Sequence, residues 1–200
     1  MNTRVELIVG LGNPGSEYDR TRHNAGADFV AHLSQQYSEP LTADSKFFGL
    51  AGRIIINNRN IRLLIPTTFM NLSGKAVTAI AQFYKIPHDA ILIAHDELDI
   101  PPENARLKIG GGHGGHNGLR DIIKCLGNSD FSRLRIGIGH PGNTRQVSDY
   151  VLKKASAKEQ QLIDNSLYEA TRVLPMLTNG QWNDAMKELH TKVSNNKADS

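Results

Sequence analysis

The chain has 200 residues, 39% of them hydrophobic and 22% charged, which suits one folded domain and excludes a largely disordered chain. A single cysteine, Cys125, excludes an internal disulfide framework and a cysteine-rich zinc module. The net charge of +3, from 23 Lys and Arg against 20 Asp and Glu, permits an anionic partner without demanding one.

No apolar run approaches the roughly 20 residues that a membrane helix needs. Met1-Asn2-Thr3-Arg4-Val5-Glu6 lacks the basic-then-apolar shape of a leader. The expectation is a soluble, cytoplasmic protein with no membrane partner. Basic residues recur at Arg20/Arg22, Arg106/Lys108, Arg120/Lys124, Arg133/Arg135 and Lys153/Lys154. On composition alone these read as a solvated mixed surface.

Residues 4–11 form an apolar run of strand length that ends in the turn Gly12-Asn13-Pro14-Gly15. Ala27, Phe29, Val30, Ala31, Leu33 and Tyr37 recur at helical spacing, which predicts a helix over 24–37. Residues 47–57 and 61–66 read as strands joined by the polar turn Asn57-Asn58-Arg59-Asn60. A helix over 73–84 follows, with Ser73 as its N-cap and Val77, Ile80, Ala81 and Tyr84 on one face. Residues 90–95 read as a central strand. Then come a strand over 106–109, a glycine cluster, a helix over 119–126 and a strand over 133–139. Two helices, over about 156–174 and 180–190, close the pattern.

Strands alternate with helices, which argues for a layered α/β fold, and the hairpin makes its sheet mixed. The expectation is a single domain over 1–190. It would be a three-layer sandwich, with a central, twisted, mostly parallel mixed sheet flanked by helices. The polar stretch 191–200 lacks periodicity and reads as a frayed tail.

Polar residues cluster where strands end, the place where α/β sheets put their ligands. His23 falls at the start of the first helix, where the dipole disfavours a protonated imidazole. A neutral imidazole is what a general base requires. Asp96, leaving the central strand, is the best candidate carboxylate to hold its tautomer. Taken singly, both also read as ordinary polar residues of a helix start and a turn. Asn13, Asn71 and Asn117 each lie beside Gly or Leu in turns or at helix starts. Together they would offer amides that donate and accept without charge, which suits a peptide or ester. Phe69 and Met70 flank Asn71 and read as either the floor of an apolar pocket or core. Cys125 reads as a core residue of its helix.

The cluster Gly110–Gly118 contains G-x-G-x-x-G at Gly110, Gly112 and Gly115. It stands too late in the chain for a dinucleotide fingerprint, and Asp130, about 20 residues on, falls in a loop rather than at a strand end. No Gly-Lys-Ser/Thr follows, so a Walker loop is absent. The cluster is expected to allow close backbone approach by a ligand, with His116 and Asn117 at the next helix start. His95, His113, His116 and His140, with Asp96 and Asp99, could suggest a metal, but none forms the helical i, i+4 pair of a zincin. Neither a metal nor a cofactor is expected.

Five segments now stand in order: Val9-Gly10-Leu11-Gly12-Asn13-Pro14-Gly15, Thr21-Arg22-His23-Asn24-Ala25-Gly26, Pro66-Thr67-Thr68-Phe69-Met70-Asn71-Leu72-Ser73-Gly74, His95-Asp96-Glu97-Leu98-Asp99 and the stretch 110–119. With Arg133-Leu134-Arg135-Ile136-Gly137-Ile138-Gly139-His140-Pro141 they make the chain resemble the bacterial peptidyl-tRNA hydrolases over about residues 4–190.

The resemblance implies a monomeric α/β enzyme without an obligate protein partner. It would cleave the ester joining a peptide to the 3′ end of tRNA. His23 then matches the catalytic base, Asp96 its orienting carboxylate, and Asn13 the residue that distinguishes N-blocked from free aminoacyl groups. Tyr18, Phe69, Asn71 and Asn117 match substrate-contacting positions, with Met70 and His116 beside them. Lys108 and Arg135 match basic positions linked to the phosphates of the tRNA acceptor stem. No Ser or Cys stands with a base, so water activated by His23 is expected to attack directly, with no covalent intermediate. A non-catalytic RNA-binding protein on the same fold and a metal-dependent hydrolase are the rival expectations.

Overall fold

The computed structural model describes residues 3–195. Seven strands make one sheet in the order β2-β3-β4-β1-β5-β7-β6. They are β1 (Leu7–Gly10), β2 (Thr42–Asp44), β3 (Gly49–Ile56), β4 (Arg59–Pro66), β5 (Ile91–Glu97), β6 (Ala105–Ile109) and β7 (Ser132–Gly137). Parallel pairing joins β4 to β1, β1 to β5 and β5 to β7 at the centre. Antiparallel pairing builds both flanks, β2-β3-β4 on one side and β7-β6 on the other. The parallel pairs are thus three of six, and the reversed strand β6 has no local signal in the sequence. β1 is buried throughout, as an apolar run in a covered parallel strand must be. The β3–β4 hairpin closes through Asn57 and Asn58, whose positive φ of 51° and 58° matches the primed turn that fits twisted strands.

Among the described residues, seven α-helices cover the sheet: α1 (Ala25–Gln36), α2 (Ser73–Tyr84), α3 (Asn117–Leu126), α4 (Val147–Val151), α5 (Ala157–Arg172), α6 (Leu174–Thr178) and α7 (Trp182–Asn195). Strand alternation divides the core in two. Ile8, Leu92, Ala94 and Leu134 pack with α1, α5, α6 and α7. Leu7, Val9, Ile91, Ile93 and Phe131 pack with α2 and α3 on the other face. The result is three layers. α5 begins with a capping box, in which Ser156 and Glu159 each bond the other's backbone N–H.

Several expectations are corrected. Ser73 is the first residue of α2 rather than its cap, and its hydroxyl donates to the carbonyl of Met70. Cys125 is exposed, because α3 turns Leu119 and Ile122 inward and leaves Cys125 on the flank beside Asp121. The helix expected over 156–174 is two, α5 and α6, broken at Val173 ahead of Pro175. α7 continues to Asn195, so 191–195 of the expected tail are helical; residues 196–200 lie outside the described residues. The short elements β2 and α4 were not expected.

One contact fixes the layer that carries the site. A Cβ on Gly10 would lie 2.2 Å from the carbonyl oxygen of Gly26, and one on Gly26 would lie 2.1 Å from that of Ala94. The start of α1 therefore rests directly on the backbone of β1 and β5. Ala27 N–H donates to the Leu11 carbonyl and Leu11 N–H to the Ala94 carbonyl, at 2.9 and 3.0 Å.

Candidate active site

The carboxyl ends of β1, β4 and β5 open into a cavity of about 910 Å³. Adjacent parallel strands with connections leaving to opposite sides make this a switch point, where open sheets place ligands. The buried His23, His95 and Asp96 line its base, beside His116, and the exposed Asn117 and the stretch Phe69–Leu72 line its rim. Val147, Ser148, Val151 and Leu152, on and after α4, form one wall.

Asp96 is the last residue but one of β5 and is 4% exposed. Its Oδ1 takes Nδ1 of His23 and Nε2 of His116, each at 2.9 Å. His23 stands in the short 3-10 turn Arg22–Asn24 that leads into α1. Burial opposes the charge of Asp96, but the two imidazoles outweigh it and hold the carboxyl far below its usual range. A carboxylate only accepts, so His23 donates from Nδ1 and keeps the lone pair on Nε2.

The expectation for the charge of His23 changes sign. Burial, like the helix start, disfavours its protonated ring, yet the attraction and hydrogen bond of Asp96 prevail and raise its pKa above the ordinary histidine value. His23 is therefore a stronger base than a free imidazole.

His116 caps α3. Its Nδ1 accepts from the N–H groups of Gly118 and Leu119 at 3.2 and 3.4 Å, so the proton sits on Nε2 and points at Asp96. Its ring is tilted against that of His23 and edge-on to that of His95, with centroids 5.0 and 5.1 Å away. His95 donates from Nδ1 to the carbonyl of Asp96 at 2.7 Å. Burial, with His116 and Arg133 adding to it, pushes its pKa down to about 3, so it stays neutral.

His23, Asp96 and His116 also bring three donor atoms within 4.8 Å, the one such group among the described residues. All three are already spent on hydrogen bonds to one another. A cation would need Nε2 of His116 without its proton, while two N–H groups keep Nδ1 from receiving it.

Asn13 follows β1. Its N–H donates to Asn24 Oδ1 at 2.8 Å, and Asn24 Nδ2 returns a bond to the Asn13 carbonyl at 3.0 Å. Asn13 Oδ1 accepts from Met70 N–H at 2.8 Å, which commits its oxygen and leaves Nδ2 as the donor. Met70 serves both expectations: it is 4% exposed within the core and lines the cavity. Phe69 is 56% exposed at the rim, edge-on to Tyr18 at 6.5 Å.

The cavity thus gathers Asn13, His23, Phe69, Met70, Asn71, Asp96, His116 and Asn117. Tyr18, Lys108 and Arg135 stand outside its lining. Lys108 is exposed on the edge strand β6, beside Arg133 of β7 in register. Arg135 faces Arg106 across the same pair and donates from Nε to Glu97 at 2.9 Å. Arg133 is buried, with its guanidinium forked onto the carbonyls of Gly111 and Gly112. The sequence presents Arg22 and Asn24 only as members of the segment around His23, with no role of their own, and gives no signal for the α4 wall. For the first two, the signal was their place on either side of His23.

The family model for peptidyl-tRNA hydrolase matches residues 7–197. This chain belongs to the peptidyl-tRNA hydrolase family. It is 59% identical to the peptidyl-tRNA hydrolase of Saccharophagus degradans over 96% of its own length and 98% of that protein. It is 58% identical to the one from Pseudomonas aeruginosa over 95% and 98%. The crystal structure of the Acinetobacter baumannii peptidyl-tRNA hydrolase superposes with a TM-score of 0.91 at 51% identity, covering 94% of this chain and 96% of that one. The activity of the peptidyl-tRNA hydrolases is hydrolysis, and no helix among the described residues of this member is long and apolar enough to cross a membrane.

Proposed function

We propose that this hydrolase splits peptidyl-tRNA in the cavity at the ends of β1, β4 and β5, with His23 as general base. The observation that carries the reading is the 2.9 Å contact between His23 and Asp96 at the cavity base. Nε2 of His23 takes a proton from water as the water oxygen attacks the ester carbonyl carbon. Asp96 holds the ring and stabilises the imidazolium. The imidazolium returns the proton to the departing 3′ oxygen of the ribose, leaving a free peptide acid and tRNA.

General base catalysis of this kind contributes about 10²–10⁴-fold. The amide of Asn71 or a nearby backbone N–H is the donor for the oxyanion, contributing about 10²–10³-fold where geometry is right. Asn13 and Asn117 read the N-blocked end of the peptide, and Tyr18, Phe69, Met70 and His116 frame it. Lys108 and Arg135 lie outside the cavity, where an acceptor stem would run, and take phosphates.

Nothing in the step requires a metal or a cofactor. A tRNA substrate points to the cytoplasm, and the family resemblance points to a monomer acting without an obligate protein partner. The test is release of labelled peptide from peptidyl-tRNA by the wild type and His23→Ala, with and without EDTA. Turnover by the wild type that survives the chelator and vanishes in the folded variant is expected. Normal turnover by His23→Ala removes the assignment.

A further inference from the structure

Arg22 stands immediately before His23, but its side chain does not line the cavity. It is 9% exposed. Its Nη1 donates to the carbonyls of Tyr150, Lys153 and Lys154 at 3.4, 3.3 and 3.1 Å, and Nη2 reaches Glu159 at 3.2 Å. The guanidinium lies over the ring of Tyr150, 4.1 Å from its centre. The Arg22 backbone N–H adds a bond to the Lys153 carbonyl at 3.1 Å. Tyr150 in turn donates from its hydroxyl to the carbonyl of Ile138 at 2.6 Å.

All these partners belong to α4, to the segment that follows it, or to the start of α5. α4 has five residues, too few to be stable as an isolated helix. At its end the Tyr150 carbonyl takes the N–H of Lys153 at 3.3 Å, and the Arg22 fork adds a second donor there and reaches the carbonyls of Lys153 and Lys154 just beyond. The same element and the residue after it carry Val147, Ser148, Val151 and Leu152, a wall of the cavity that Phe69–Leu72 also line. The wall and the catalytic histidine thus hang from neighbouring residues of one turn. We infer that Arg22 is a positioning residue for substrate: its fork onto the end of α4 sets the distance of the cavity wall from His23, and so how tightly the peptidyl end is held. The inference rests on the reading of the cavity as the substrate site.

Lysine keeps the charge but not the planar fork or the stacked face. In Arg22→Lys, KM for peptidyl-tRNA rises about 10-fold, kcat stays within about 3-fold of wild type, and the pH profile is unchanged, the pattern of lost binding rather than lost chemistry. Glu159→Gln removes one charge but keeps the capping box, because Gln serves at that position, and its KM stays within about 2-fold of wild type. A folded Arg22→Lys with unchanged KM overturns the inference. So does a fall in kcat with a displaced pH profile, which would mean that Arg22 acts through His23.

If thermal unfolding shows that Arg22→Lys is not folded, Tyr150→Leu decides. It removes both the ring under the Arg22 guanidinium and the bond to Ile138, and an unchanged KM there overturns the inference equally. His23→Asn in the same assay keeps the two readings apart. Retained turnover in that variant strikes at the catalytic assignment, whereas the wall stands or falls on KM.

Discussion

Asn24 grips the main chain of Asn13 from both sides, accepting from its N–H at 2.8 Å and donating to its carbonyl at 3.0 Å. The pairing resembles one rung of a sheet made by a side chain. It aims the Asn13 amide, whose oxygen is taken by Met70.

Asn24→Ala therefore leaves a backbone N–H and carbonyl without their partner, and Asn13 loses its fixed direction. The expected result is a fall of about 10-fold in kcat/KM, equivalent to the one to two hydrogen bonds lost. The acid limb of the pH profile should not move, because Asp96 and His23 are intact. Steady-state kinetics across pH checks both parts, and a displaced limb would show that Asn24 acts on His23 instead.

The neutral ring of His23 is the active form, and Asp96 raises its pKa. In the wild type kcat/KM therefore climbs with pH through that raised value and then levels. Asp96→Asn removes the attraction and leaves the burial, so the pKa falls and the acid limb moves to lower pH. At the plateau kcat falls about 10²–10⁴-fold, because the imidazolium loses its counter-charge and the tautomer its anchor. A limb that moves to higher pH contradicts this account.

Gly26 lies inside α1, where glycine to alanine ordinarily stabilises by about 0.5–1 kcal/mol. Here the added carbon would meet the Ala94 carbonyl at 2.1 Å. Gly26→Ala must lift α1 from β5, and about 1–3 kcal/mol of stability is lost. Thermal unfolding measures it, and an unchanged or higher midpoint refutes the close-contact account. Activity in the surviving folded fraction also falls, since the turn bearing His23 rides on that helix.

Lys108 is exposed, whereas Arg135 shares its charge with Glu97. Lys108→Ala should lower the slope of log affinity for tRNA against log salt by about one ion, and Arg135→Ala by less. Fluorescence anisotropy over a salt series gives both slopes. The reverse order would place the phosphates nearer Arg135.

What the sequence made legible was mostly local. The Leu7–Gly10 run, the Asn57-Asn58 turn and the periodicity of α1 and α2 each lie within a dozen residues. His23 and Asp96 could be paired because each follows a strand-end pattern and the two chemistries complement each other. Arg22 was not legible, because its partners lie 128 to 137 residues away and are largely carbonyls, which any sequence would supply. The bond from His116 to Asp96 depends on how the glycine stretch folds before α3. Cys125 was misplaced because a short amphipathic helix tolerates an apolar residue on its flank. The charge of His23 was misjudged because a helix end acts weakly beside a carboxylate in contact.

Two imidazoles share one oxygen of Asp96, and the second nitrogen of His116 is closed off by the start of α3. The oxygen that orients the general base is thus braced by the start of a second helix, and a disturbance of α3 that leaves the fold intact reaches His23 through its carboxylate.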